Sequence, residues 1–138
     1  MKTFKVLGRF MGIVVCILIL AEAVYAVSKD EEKRFVSNVK KIVQKKDTAA
    51  LLGLVCWDQI NDKTKKMVEG HLRDLMKEPI KDVTLVDYSE FPFKTNLKVI
   101  KKLEFVHKST GPNAGESSSV PVGEKNGKLM ITVTIEEQ

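Results

Sequence analysis

Two patterns predict an α+β fold, with N-terminal helices packed on a curved antiparallel sheet of about four strands. Apolar residues recur at three and four between residues 29 and 79, and at two from residue 83 to the end. Helices first and strands after them, with short polar connections, is the order of a sheet covered on one face. No internal repeat and no long linker divides the chain.

Met1–Ala26 reads as a secretory signal peptide. Lys2, Lys5 and Arg9 form a positive start, Phe10–Leu20 is an unbroken apolar run, and Val24-Tyr25-Ala26 places small or β-branched residues at −3 and −1. The run stops at Glu22, short for a bilayer span. The expectation is cleavage after Ala26 and a periplasmic or secreted product, touching a membrane only through this segment if it stays uncleaved. Domain organisation is then a signal peptide over 1–26 and a single α+β domain over 27–138.

Removing 26 of 138 residues leaves 112, enough for one core. The leader carries Lys2, Lys5, Arg9 and Glu22, so the rest holds 20 basic and 17 acidic residues and a net charge of +3. Charges of both signs interspersed at that balance argue against a nucleic-acid partner. Cys16 lies in the leader and follows Val15, where a lipoprotein signal needs a small residue. Cys56 is the only other cysteine, so no intramolecular disulfide forms after cleavage. Its apolar setting, Leu54-Val55-Cys56-Trp57, predicts a small buried hydrophobe.

Each element has its own warrant. Ser28-Lys29-Asp30-Glu31 has the form of a capping box. Phe35, Val36, Val39, Ile42 and Val43 form one helical face over about Lys29 to Lys45, with acids at its start and lysines at its end. Asp47 caps a second helix from Thr48 to about Val55. Asn61 or Asp62 opens a third, striped by Met67, Val68, His71, Leu72, Leu75 and Met76 and stopped by Pro79.

Val83–Val86 reads as a first strand, broken by Phe91-Pro92-Phe93. Leu97, Val99, Leu103 and Phe105 alternate with polar residues in a second, where Lys101 falls on the apolar side and signals a bulge or an edge. Lys108–Ser117 is a polar Gly/Pro loop. Val120 and Val122 mark a third strand, which Pro121 restricts to an edge or an irregular ladder position. Asn126-Gly127 is a hairpin turn. Leu129, Ile131, Val133 and Ile135 then alternate with Met130, Thr132 and Thr134 in a last strand.

The opening helix followed by Lys46-Asp47-Thr48-Ala49-Ala50-Leu51-Leu52, and the closing Val120–Leu129 stretch, resemble the cone-shaped, cystatin-like α+β superfamily of nuclear transport factor two, ketosteroid isomerase and SnoaL-type cyclases. The resemblance extends over most of Ser28–Glu136. It implies an apolar pocket between sheet and helices; some members are enzymes and many only bind. No acid or Tyr of this chain aligns with the acidic base and the Tyr or protonated acid of the isomerases.

The candidate ligand-binding residues are Trp57, Asp58, Tyr88 and His107. Trp57-Asp58 reads as a core Trp and a capping or turn Asp before it reads as an aromatic wall with a carboxylate at a pocket mouth. Asp87-Tyr88 supplies an acid and a phenol at a strand end, or a plain turn. His107 continues the apolar parity of Leu103 and Phe105 at a strand end, where it faces a pocket or open water with neither favoured. His71, on the apolar stripe, reads as a core histidine bonded to a carbonyl before it reads as a catalytic one. Two His and one Cys far apart match no zinc spacing, and no Gly-rich phosphate loop or G-x-S-x-G occurs, so no cofactor and no metal is expected.

The leading reading is a binding module for a small apolar ligand or a protein partner, without a catalytic site. Its rivals are a small pocket enzyme of isomerase or hydrolase type using Asp58, Asp87, Tyr88 or His107, and an envelope interaction subunit pairing through its sheet.

Overall fold

The computed structural model describes residues 27–108 and 115–135. The signal segment, most of the Lys108–Ser117 loop and the last three residues lie outside them. The chain folds as α1 (Lys29–Lys45), α2 (Thr48–Leu52), α3 (Asp62–Lys77), β1 (Ile80–Asp87), β2 (Val99–His107), β3 (Ser117–Lys125) and β4 (Lys128–Ile131). The four strands form one antiparallel sheet in the order β1-β2-β3-β4. The sheet is curled, and the class is the α+β arrangement expected. Among the described residues no helix is long and apolar enough to cross a membrane.

The caps lie where the sequence puts them. Ser28 Oγ accepts from the Glu31 N–H, Asp47 Oδ1 from Ala50 and Asn61 Oδ1 from Thr64. The reciprocal half of the first capping box is absent. The Glu31 carboxylate instead takes the Arg34 guanidinium and the Leu129 N–H at 3.1 Å, pinning the start of α1 to β4. Phe35, Val39 and Ile42 bury the inner face of α1. The second helix ends at Leu52 rather than near Val55, because the chain turns there to meet β4: Ile131 N–H donates to Leu54 O and Cys56 N–H to Ile131 O, each at 2.9 Å. Cys56 is buried and unpaired.

On α3 only Thr64, Leu72 and Met76 are buried. Met67 is 47% exposed and His71 is exposed. The core histidine expected at position 71 is therefore corrected. Among the elements, α3 makes its principal contacts with α2 rather than with the sheet, so only a narrow stripe is covered.

The inner face of β2 presents Val99, Leu103, Phe105 and His107, all buried. The register shift against β3 falls between Val99 and Lys101, the bulge that an inward lysine signals. By strand order β3 is interior, but β4 pairs only with Val122–Lys125, so Pro121 stands where β3 becomes an edge, a position that its missing N–H allows. Pro121 pairs with Lys102 on one side, and on the other its carbonyl accepts from Thr132 N–H at 2.9 Å. Having no N–H to return, Pro121 stands where the β3–β4 ladder stops. β4 accordingly ends at Ile131 instead of running to Ile135. The chain changes partners there: Asn96 N–H donates to Val133 O, and Ile135 N–H to Lys94 O. Asn126 and Gly127 turn with φ of 54° and 79°, the two positive values of a type I′ hairpin.

Candidate functional site

Phe35, Leu51, Leu103, Phe105 and Val122 are fully buried between the helices and the sheet. The clefts therefore lie where elements part company. β4 pairs only with Val122–Lys125. Among the described residues the Ser117–Val120 part of β3 has no strand on that flank, and α3 runs beside it. Between them lies an apolar cleft of about 240 Å³, walled by Met67, Val68 and Leu72 of α3, Val120 of β3, Val133 after β4, and Phe91 from the β1–β2 connection. His71, Leu72 and Val120 also line a second cleft, of about 420 Å³, so the two form one furrow along α3.

The polar end of the furrow holds His107, Ser118, Asp74 and Glu78. His107 is 4% exposed, and its Nε2 lies 2.7 Å from Ser118 Oγ. This is the spacing of a nucleophile and a general base. The second ring nitrogen bears on which tautomer the pair holds. His107 Nδ1 is buried without a partner among the described residues. For Nε2 to take the hydroxyl proton, Nδ1 must carry the other one, leaving an orphaned buried N–H. The opposite tautomer leaves only a bare lone pair, the lesser cost. In that tautomer Nε2–H donates to Ser118 Oγ.

The four residues named from sequence are not brought together. Trp57 is half-buried, with the Lys65 ammonium 5.4 Å from its ring centroid, and lines neither cleft of the furrow. Asp58 is exposed and bonds the Lys125 ammonium, which holds its carboxyl below the usual range. Tyr88 packs edge-on to Phe91, with Lys102 over its ring at 5.0 Å. It lines a separate small hollow of about 90 Å³, with Phe91 and Pro121. Of the four, only His107 reaches the furrow. Among the described residues no group of His, Cys, Asp and Glu is placed to hold a metal ion.

Sequence reasoning misses the furrow's walls. Met67 and Val68 are legible as apolar, but nothing local says that α3 leaves them facing a gap. It also misses Asn96, whose side chain donates to Cys56 O at 2.7 Å and Asp58 O at 3.0 Å and accepts from Val133 N–H at 2.9 Å.

Asp87 is accounted for by charge rather than chemistry. Lys101, turned inward by the bulge, bonds both Asp87 and Glu32. The Lys101 hydrogen bond holds each carboxyl below its ordinary value. An acid with a depressed folded-state pKa binds fewer protons folded than unfolded. Its stabilisation is complete above the unfolded value, here about 4.5 for Glu32, and is lost as pH falls through the depressed one. Melting temperature measured from about pH 6 down to about pH 3 should fall more steeply for the natural chain than for Lys101→Met. Parallel curves would mean that the cluster contributes nothing.

No family model matches the chain, and no curated protein matches it. Among solved structures, a chain whose name begins Rd1NTF2_05 is similar at 16% identity, over 72% of this chain and 90% of that one, with a TM-score of 0.36. That likeness is too slight to carry an argument. The α+β class rests on the helices, strands and register described above.

Proposed function

We propose that the chain is a non-catalytic binding module, exported by its Met1–Ala26 segment, that takes a small apolar ligand in the furrow between α3 and the free flank of β3. The observation that carries this reading is the composition of the 240 Å³ cleft: Met67, Val68, Leu72, Phe91, Val120 and Val133 converge on it from four parts of the chain. A concave apolar surface with a few polar groups at one end is the common form of a ligand site. His71 and the His107–Ser118 pair at the far end supply orientation through hydrogen bonds. The tautomer argument at His107 weighs against the rival hydrolase. The other ionisable candidates for an isomerase, Asp58, Asp87 and Tyr88, lie outside the furrow.

The neutral probe N-phenylnaphthylamine tests it. Its emission should rise and saturate on titration with the protein. Energy transfer from Trp57, the single tryptophan, should accompany binding, because Trp57 packs under Lys65, the neighbour of furrow residue Thr64. Val68→Glu should weaken probe binding at least tenfold without lowering the melting temperature by more than a few degrees. Equal binding by both proteins would overturn the reading.

A further inference from the structure

The opposite edge of the sheet is built differently. β1 pairs only with β2, so its outer flank has no strand against it among the described residues. The register shows which of its groups are free. Tyr88 N–H donates to Ile100 O, which makes 88↔100 a hydrogen-bonded pair. Thr84↔Glu104 and Val86↔Lys102 share that parity, while Val83, Leu85 and Asp87 hold the alternate positions. In an antiparallel ladder the alternate residues point their N–H and C=O away from the partner. Leu85 and Asp87 therefore present a donor and an acceptor each along the outer flank. The Val83 N–H is taken by the Asp82 carboxylate at 2.9 Å.

The flank opens into a groove of about 830 Å³ between α1 and β1. Its floor is apolar: Val36 of α1 with Val83 and Leu85 of β1. Its rim is basic. Lys29, Lys33 and Lys40 line it from α1, and Lys101 from the helix-facing side of β2. The two acids of the lining, Glu32 and Asp87, are both occupied by Lys101. Lys40 lies 3.5 Å from Asp82, and Lys29, 91% exposed, 3.7 Å from Glu32. Lys33 has no acidic partner among the described residues. The groove thus carries cationic charge that its own acids do not balance, beside an edge with unfilled hydrogen bonds. Eight residues of exposed strand without a proline are a template for another strand unless something covers them.

We propose that the β1 edge takes an extended, acidic segment of a partner protein as a fifth strand. Its backbone pairs with Leu85 and Asp87. Alternate side chains turn toward α1, where carboxylates meet Lys33, Lys29 and Lys40. The intervening side chains fall beside Val86, which is 37% exposed on the other face. Main-chain bonds supply affinity, and alternate side chains supply selectivity. This site shares no residue with the furrow, so the two proposals stand or fall separately.

A fluorescent eight-residue peptide alternating valine and glutamate is the probe, with its valine–lysine counterpart as control. Fluorescence anisotropy should show binding of the acidic peptide and none of the basic one, weakening as salt screens the rim. Lys33→Glu should weaken binding at least tenfold, whereas Lys66→Glu, away from the groove, should leave it unchanged. Leu85→Pro removes an outward N–H without taking a bond from the β1–β2 ladder, and should abolish binding while far-ultraviolet circular dichroism is retained. Should that variant unfold, hydrogen exchange on the natural chain decides, because the Leu85 and Asp87 amides must gain protection when peptide is added. Equal binding of the two peptides, unchanged exchange at those amides, or a concentration-dependent dimer in which those amides are protected without peptide would each overturn the proposal. The last would assign the edge to a second copy.

Discussion

Ile131→Ala should cost about 2–5 kcal/mol in a urea titration, as large-to-small changes at fully buried sites do. Ile131 is 2% exposed in the core cluster. Its backbone joins α2's exit to β4 through the Leu54 and Cys56 bonds, so neighbouring chain on both sides resists collapse into the cavity. The next residue should respond in the opposite direction. Strict alternation along the last strand places Thr132 in solvent, yet it is 4% exposed, and its Oγ1 is buried with no hydrogen-bond partner among the described residues. Thr132→Val keeps the shape and removes the unsatisfied hydroxyl, and should raise stability by about 1 kcal/mol. A loss on Thr132→Val would mean that the hydroxyl finds a partner in solution. A cost below about 1 kcal/mol for Ile131→Ala would mean that β4 is not part of the core.

Asn96→Ala should cost about 2–4 kcal/mol by the same measurement, from three hydrogen bonds lost at one side chain. Two of those bonds hold the Cys56–Asp58 turn, and the third receives Val133 N–H just beyond β4. The amide orientation follows from its partners, since two carbonyls face the nitrogen and one N–H faces the oxygen. Asn96→Asp should not rescue. It keeps an acceptor for Val133 but sets a carboxylate against two carbonyl oxygens. Wild-type stability in either variant would show that this connection is held by backbone bonds alone.

The features legible in the residues alone are local in origin. Ser28, Asp47 and Asn61 name helix starts because each satisfies a donor three residues on. Asn126-Gly127 names the hairpin because positive φ at two successive residues suits few other pairs. Lys101 names the bulge because a charge on the apolar parity needs either a kink or a partner, and it has both. Strand parity puts His107 on the side of Leu103 and Phe105 but leaves pocket and open water equal at a strand end; the structure buries it.

The features that are not legible depend on which faces meet. His71 and Met67 share the stripe of Leu72 and Met76, and periodicity treats the four alike. α3 rests on α2 beside the sheet's flank, so two of the four enter the core and two face outward. Pro121 in an interior strand looks forbidden until β4 is seen to leave the ladder at that residue. Trp57, Asp58, Tyr88 and His107 are candidates by residue type, and nothing in their spacing reports that they do not converge on one site.

The sequence by itself determined the class of fold, the caps, the hairpin and the parity of β2, because these follow from hydrogen bonds and side-chain alternation within a few residues. Only the tertiary structure decided where the helices and sheet fail to cover one another. That mismatch makes both the apolar furrow beside β3 and the basic groove beside β1, because a gap is a property of two surfaces and is written in neither alone.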